Sequence, residues 1–164
     1  MTALARFRSP VGTLSVEATD AGVCSIRFGG MGGARPPIGR QTRQNLEAAL
    51  QSLADYFAGR VPILPPLDLH GTEFQRIVWA ALLEIPWGET VTYGDLAARL
   101  GSAGARAVGT ANAHNPVAIL VPCHRVVAAG GRLGGYAGGT DVKQWLLAHE
   151  AAHGPVLRHP RRAT

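Results

Sequence analysis

Cysteine is scarce in this chain: two in 164 residues, Cys24 and Cys123. They lie far apart, with no C-x-x-C pair and no Cys/His cluster, so neither a metal site nor a disulfide framework is indicated. Free thiols in a reducing cytoplasm are the expectation. Charged side chains are also few, 16% against 46% apolar, which excludes a disordered chain. No apolar run approaches the roughly 18 residues of a membrane span. Met1 to Val16 contains Arg6 and Arg8 and no continuous apolar stretch, so no export signal is visible. Internal repeats and low-complexity segments are missing too. Acidic residues are outnumbered, 11 against 16 Lys plus Arg, for a net charge of +5. That balance suits a polyanionic partner without requiring one.

What is present is organised in two parts. Leu14, Val16 and Ala18 alternate, Asp20-Ala21-Gly22 supplies turn chemistry, and Cys24, Ile26 and Phe28 alternate again, a hairpin with Cys24 on the apolar face. A Gly/Pro-rich loop over 29–39 leads to a helix over 42–58 that presents Leu46, Leu50, Leu53 and Phe57. Three prolines in Val61 to Pro66 exclude a helix interior or a central strand. The division expected is a domain over 1–66, a linker over 67–71, a second domain over 72–153 and a basic tail over 154–164.

The second part opens on Thr72-Glu73-Phe74-Gln75, a capping box, and Phe74, Ile77, Val78, Ala81 and Leu82 share a helical face. Thr92 caps a short helix carrying Leu96 and Leu100. Gly101-Ser102-Ala103-Gly104 turns the chain, and a second short helix spans 105–113. Two short helices around a glycine-containing turn form a helix-turn-helix pattern, which by itself is weak evidence for DNA. A last helix begins near Thr140 and carries Val142, Trp145, Leu146, His149 and Glu150.

The chemistry concentrates in Pro122-Cys123-His124-Arg125-Val126, directly after the apolar run 117–121. Cys is the strongest side-chain nucleophile at neutral pH, and a base beside it strengthens it. A small buried Cys at a strand end is the plain alternative. Side chains of adjacent residues seldom face each other, so His124 needs a tight turn or a bridging water to reach the thiol. Glu150 is a candidate to orient that base, and a carboxylate at a helix C-terminus opposes the helix dipole, which calls for a reason. Arg106 begins the second short helix, as a surface cation or as a planar donor for a groove. Six glycines in Gly130 to Gly139 allow close approach to a flat ligand or simply form a loop.

The blocks Phe74 to Leu82, Ile85-Pro86-Trp87-Gly88-Glu89-Thr90, Thr92 to Ala97, Arg106-Ala107-Val108-Gly109, Asn115-Pro116, Pro122 to Val127, Gly134-Gly135-Tyr136 and Lys143 to Glu150 together resemble the O6-alkylguanine-DNA alkyltransferases, or methylated-DNA–protein-cysteine methyltransferases. They fill most of 72–150; the first 65 residues match mainly through Ser9 to Leu14. The resemblance implies an α/β (α+β) fold: an N-terminal ribonuclease-H-like sheet-and-helix domain and a helical C-terminal domain whose helix-turn-helix docks in the minor groove of double-stranded DNA. The damaged guanine is turned out of the stack, as chemistry on a base requires. By position, Cys123 accepts the alkyl group once, irreversibly, and His124 takes its proton through a water. Glu150 holds the imidazole, Asn115 ties the helix to the active-site turn, and Tyr93 assists the leaving guanine. Arg106, with Ala107 and Gly109, meets DNA. Arg125, Val126, Tyr136 and Ala137 belong to the same substrate- and DNA-binding set, with the carbonyls of Cys123 and Val126 holding the base. No cofactor, metal or membrane is implied, and the chain is expected to act as a monomer.

Two departures stand out. Ala137 replaces a Ser common in relatives, removing a side-chain hydrogen bond to O6, and Cys24 alone cannot supply an N-terminal zinc site. The alternatives are a lesion sensor without chemistry, whose known examples lack the cysteine, and a thiol hydrolase, which leaves the helix pair unexplained.

Overall fold

The computed structural model describes residues 2–30, 32–101 and 104–153. Three antiparallel strands, β1 (Ala3–Ser9), β2 (Gly12–Ala18) and β3 (Val23–Phe28), pair in chain order. The hairpin expected around Asp20 is present, and β1 adds a strand that alternation alone did not reveal. A register irregularity at Glu17/Ala18 changes which side chains of β3 turn inward. Val23, Ser25 and Ile26 are buried, while Cys24 is only half-buried, which corrects the core placement read for it.

Helix α1 (Arg40–Phe57) lies on this sheet. Leu46, Ala49, Leu53 and Tyr56 are its buried stripe, with Leu50 and Phe57 partly covered. Each large apolar side chain so buried contributes about 1.5–3 kcal/mol.

The free edge of β3 does not face water. Val23 donates to the Pro66 carbonyl at 2.8 Å and accepts from Asp68 N–H at 2.8 Å, and Ile26 donates to Pro116 O at 2.9 Å and accepts from Ala118 N–H at 3.1 Å. The proline-rich connection is therefore stitched to the sheet, and so is the segment leading into Cys123. Covering an edge in this way removes a pairing hazard and uses backbone groups that would otherwise be left open.

Helix α2 (Glu73–Leu82) begins with the capping box, both reciprocal bonds formed between Thr72 and Gln75. It buries Val78, Trp79 and Leu82, and the Trp79 indole donates to Ala111 O at 2.9 Å. Ile77 departs from expectation: it is 48% exposed, because the buried stripe rotates toward Trp79. Strand β4 (Val91–Thr92) pairs in parallel with β5 (Val126–Val127), clamping the active-site turn to the entrance of α3 (Tyr93–Leu100). Thr92 and Asp95 make the second capping box. Helix α4 (Ala105–Ala113) packs on α3 and α2 as the second arm of the helix pair, and α5 (Thr140–His153) closes the molecule. Ser102, Ala103 and the basic tail over 154–164 lie outside the described residues. Among the described residues no helix is long and apolar enough to cross a membrane.

Candidate active site

The chain reaches Cys123 through a compressed turn. Asn115 at the end of α4 donates from Nδ2 to Val121 O at 2.8 Å and accepts from Val117 N–H at 3.0 Å. Inside this loop Ile119 has φ 75°, the left-handed region that costs a β-branched residue about 1–3 kcal/mol. The surrounding bonds and burial hold it there. Pro122 then leads into a single turn of 3₁₀ helix, Cys123–Arg125, whose three side chains are all buried.

That turn separates two environments. Behind it, Glu150 is 0% exposed and collects four donors. Its Oε2 accepts from His124 Nε2 at 2.5 Å and from the Tyr56 hydroxyl at 2.7 Å; its Oε1 accepts from Arg125 Nε at 2.8 Å and Gly88 N–H at 3.3 Å. The Trp87 indole adds a bond to the Glu150 carbonyl at 3.0 Å. Burial alone would raise the carboxyl pKa, but the hydrogen bonds from His124 and Arg125 and the Arg125 charge outweigh it and leave the group at about 2. Four donors also offset the unfavourable position at a helix C-terminus.

His124 is fully buried, and burial holds its pKa below the ordinary value against the upward pull of Glu150. A neutral ring that donates Nε2–H to a carboxylate carries its lone pair on Nδ1. That atom is buried and has no hydrogen-bond partner among the described residues.

In front of the turn lies a cavity of about 550 Å³ bordered by Cys123, Tyr93, Gly109, Asn115, Tyr136 and Ala137, with Asn112 and Gly135 also in its wall. Burial raises the Cys123 pKa, so the resting group is a thiol; the Asn115 amide and the Lys143 ammonium act in the opposite sense. The Tyr136 hydroxyl has no hydrogen-bond partner among the described residues, yet it neighbours the sulfur closely enough to favour the thiolate. Tyr93, at the first turn of α3, backs onto Gly134, whose φ of 73° favours glycine. The loop carrying Tyr136 rests on the N-terminal sheet: Phe28 meets the Tyr136 ring edge-on at 5.5 Å, and a Cβ on Gly138 would come within 2.9 Å of Phe28.

Most of the residues read from the sequence are thus brought together, while Arg125 and Val126 stand outside the cavity wall. Cys123, Asn115, Tyr93, Tyr136, Ala137 and Gly109 border the cavity, and His124 and Glu150 stand behind it. Arg106 and Ala107 are exposed on α4 beside a separate groove shared with Thr72 and Phe74. Arg125 is not in the wall of the Cys123 cavity. It is 8% exposed, paired with Glu150 and donating from Nη1 to Ile85 O at 2.7 Å, because a buried carboxylate demands a cation. The Val126 carbonyl is already used by Lys143 Nζ at 2.7 Å, and the Cys123 carbonyl by Asn112 Nδ2 at 3.3 Å.

Three contributors were not singled out by sequence reasoning: Asn112, Lys143 and Tyr56. Lys143 had a signal, since it shares the buried stripe of α5 with Leu146 and Glu150, where an unpaired cation is costly. Asn112 sits on the buried side of α4. Tyr56 had none, since its partner is 94 positions away.

A buried thiol backed by a histidine–carboxylate couple, opening into a cavity walled by a helix-turn-helix, defines a cysteine group-transfer protein built on a DNA-binding-type domain. Comparison with known proteins agrees. The family model described as "6-O-methylguanine DNA methyltransferase, DNA binding domain" matches residues 73–152. A methylated-DNA–protein-cysteine methyltransferase of Mycolicibacterium paratuberculosis is 46% identical over 153 residues, covering 90% of this chain and 92% of that protein. The crystal structure of Mycobacterium tuberculosis O6-methylguanine methyltransferase superposes with a TM-score of 0.80 at 40% identity, over 94% of this chain and 96% of the other. The M. tuberculosis protein in complex with DNA gives 0.80 at 41% identity, over 92% and 93%. This chain belongs to the methylated-DNA–protein-cysteine methyltransferase family.

Proposed function

We propose that this chain repairs O6-alkylated guanine in double-stranded DNA by one irreversible transfer of the alkyl group to Cys123. The observation that carries the reading is the division at the 3₁₀ turn: a buried base-and-carboxylate couple behind the thiol, an open cavity in front of it. α4 presents Arg106 to the minor groove, and the lesion base is turned out of the stack into the cavity. Arg106 fills the gap left in the duplex.

The thiol proton passes through a bridging water to Nδ1 of His124, while Glu150 stabilises the imidazolium. The sulfur displaces guanine at the alkyl carbon: the S–C bond forms, the C–O6 bond breaks, and guanine leaves with the bonding pair. The Tyr93 hydroxyl and a backbone N–H of the 136–137 loop meet the charge that develops on the base. Guanine regains one proton and the thiol has lost one, so thiol plus alkylguanine becomes thioether plus guanine, with no cofactor in the balance. The thioether is not reversed, and one chain acting alone removes one lesion. A cytoplasmic location fits free thiols. The lesion-sensor alternative leaves Cys123 and its relay without a use.

The test is intact-protein mass after incubation with a duplex bearing one O6-methylguanine. One methyl per chain, mapped to Cys123 and absent in Cys123→Ser, is the expected result. Transfer by Cys123→Ser at the normal rate, or no mass gain by the natural chain, overturns it.

A further inference from the structure

We propose that Tyr56, a residue of the N-terminal helix α1, is a positioning residue for the transfer: its hydroxyl fixes Glu150 so that His124 presents Nδ1 to the thiol. The inference rests on the reading of Cys123 as alkyl acceptor, and it assigns the N-terminal part of the chain a place in the proton relay.

The geometry is specific. Tyr56 is 0% exposed, and its hydroxyl donates to Oε2 of Glu150 at 2.7 Å, the same oxygen that receives His124 Nε2–H. The ring is fixed on several sides. Trp87 packs at 5.0 Å between centroids and His149 at 5.3 Å, while the His124 ring lies edge-on at 6.3 Å. His149 also donates from Nε2 to the Tyr56 carbonyl at 2.6 Å, anchoring the end of α1 to the helix that carries Glu150. A phenol held this firmly brings its hydrogen bond to the carboxylate with little remaining freedom to lose, and charge-assisted bonds of this kind are about twice as strong as neutral ones.

Two donors on each oxygen fix the rotation of the carboxylate: His124 and Tyr56 on one side, Arg125 and Gly88 on the other. Without the phenol, Oε2 holds only the imidazole, and the pull of Arg125 on Oε1 is no longer balanced. The charged and titratable groups facing the couple are Tyr56 from α1, Arg125 and Cys123 from the turn, Lys143 from α5, and Tyr136 from the glycine-rich loop. Of these, only Tyr56 and Arg125 bond the carboxylate besides His124 itself. Removing the Tyr56 donor leaves the Glu150 charge less satisfied, so it acts more fully on His124 and raises the pH at which the ring takes a proton.

Tyr56→Phe keeps the ring and deletes only the hydroxyl. Single-turnover methyl transfer to Cys123, followed by mass as a function of pH, is expected to slow about tenfold at neutral pH. The acid limb of its profile is expected to move up by about half a pH unit. Leu53→Ala, in the same helix and with no hydrogen-bonding group to offer Glu150, controls for a merely structural role and is expected to leave the limb in place. An unmoved limb in Tyr56→Phe, or an equal shift in Leu53→Ala, overturns the inference. If Tyr56→Phe does not fold, trifluorotyrosine placed at position 56 keeps the shape and strengthens the donor. The limb must then move down, and an unmoved one overturns the inference. A natural chain that never gains a methyl overturns the underlying reading as well; normal transfer with an unmoved limb removes only the role of Tyr56.

Discussion

The two sides of the Cys123–Arg125 turn are built on opposite principles. Behind it, His124, Glu150 and Tyr56 are fully buried and each bonds another. In front of it, the wall is made of small residues such as Gly109, Gly135, Ala118 and Ala137, with Tyr93 and Tyr136 as its large members. The difference teaches where this site has to be rigid. A proton relay works only if donor and acceptor stay aligned to within tenths of an ångström, which fixed charges in a dry core provide. A pocket that receives a flat base needs space and backbone proximity, which small side chains provide.

The largest effect is expected from breaking the back. Glu150→Gln leaves buried Arg125 without its counter-charge and His124 without an orienting anion. Removing one partner of a buried pair typically costs about 3–5 kcal/mol. Urea unfolding checks the stability, and alkylation rate against pH checks the relay; an unchanged rate profile removes Glu150 from the mechanism.

Acid should weaken the natural chain in a defined window. Unfolded Glu150 binds a proton near its ordinary 4.5 and folded Glu150 only near about 2, while folded His124 resists protonation below its ordinary 6.5. Both groups make the unfolded state bind more protons, so stability is full above about 6.5 and is lost as pH falls toward 2. Thermal melting from pH 7 to pH 3 checks this. The fall should be shallower in Glu150→Gln, and a parallel fall in both proteins assigns the acid sensitivity elsewhere.

The smallest effect on stability is expected on α4, beside the separate groove. Arg106 is exposed on α4, so Arg106→Ala should change stability by less than about 0.5 kcal/mol. Transfer from duplex DNA should nevertheless weaken, while reactivity toward free O6-alkylguanine is retained. Equal loss on both substrates would make Arg106 part of the scaffold and blur the contrast between the two sides.

Much of this was legible in the chain because it is local. The two capping boxes at Thr72 and Thr92 are decided within four residues, and the structure forms both. Pro122-Cys123-His124 announces a nucleophile and a base, and the stripe of α1 is visible in its leucines. Strand β1 alternates Ala5, Arg6, Phe7 and Arg8, but two alanines give its inner face little apolar signal, and pairing with β2 supplies what propensity does not. Ile77 was misplaced because periodicity gives the width of an apolar face but not its direction; Trp79 and its bond to Ala111 settle that.

By itself the sequence determined the adjacent thiol and imidazole, the two capped helix starts, and the helix pair with Arg106 on it, since each depends on neighbours a few bonds away. The tertiary structure alone decided the rest. It turned Arg125 inward to a buried carboxylate, and it set the Tyr56 hydroxyl on Glu150 across 94 positions. It also laid the free edge of β3 along the segment that leads to Cys123. The physical reason is common to all three: an unpaired charge or backbone group in a dry interior must find a partner in space, and the chain order does not say which one.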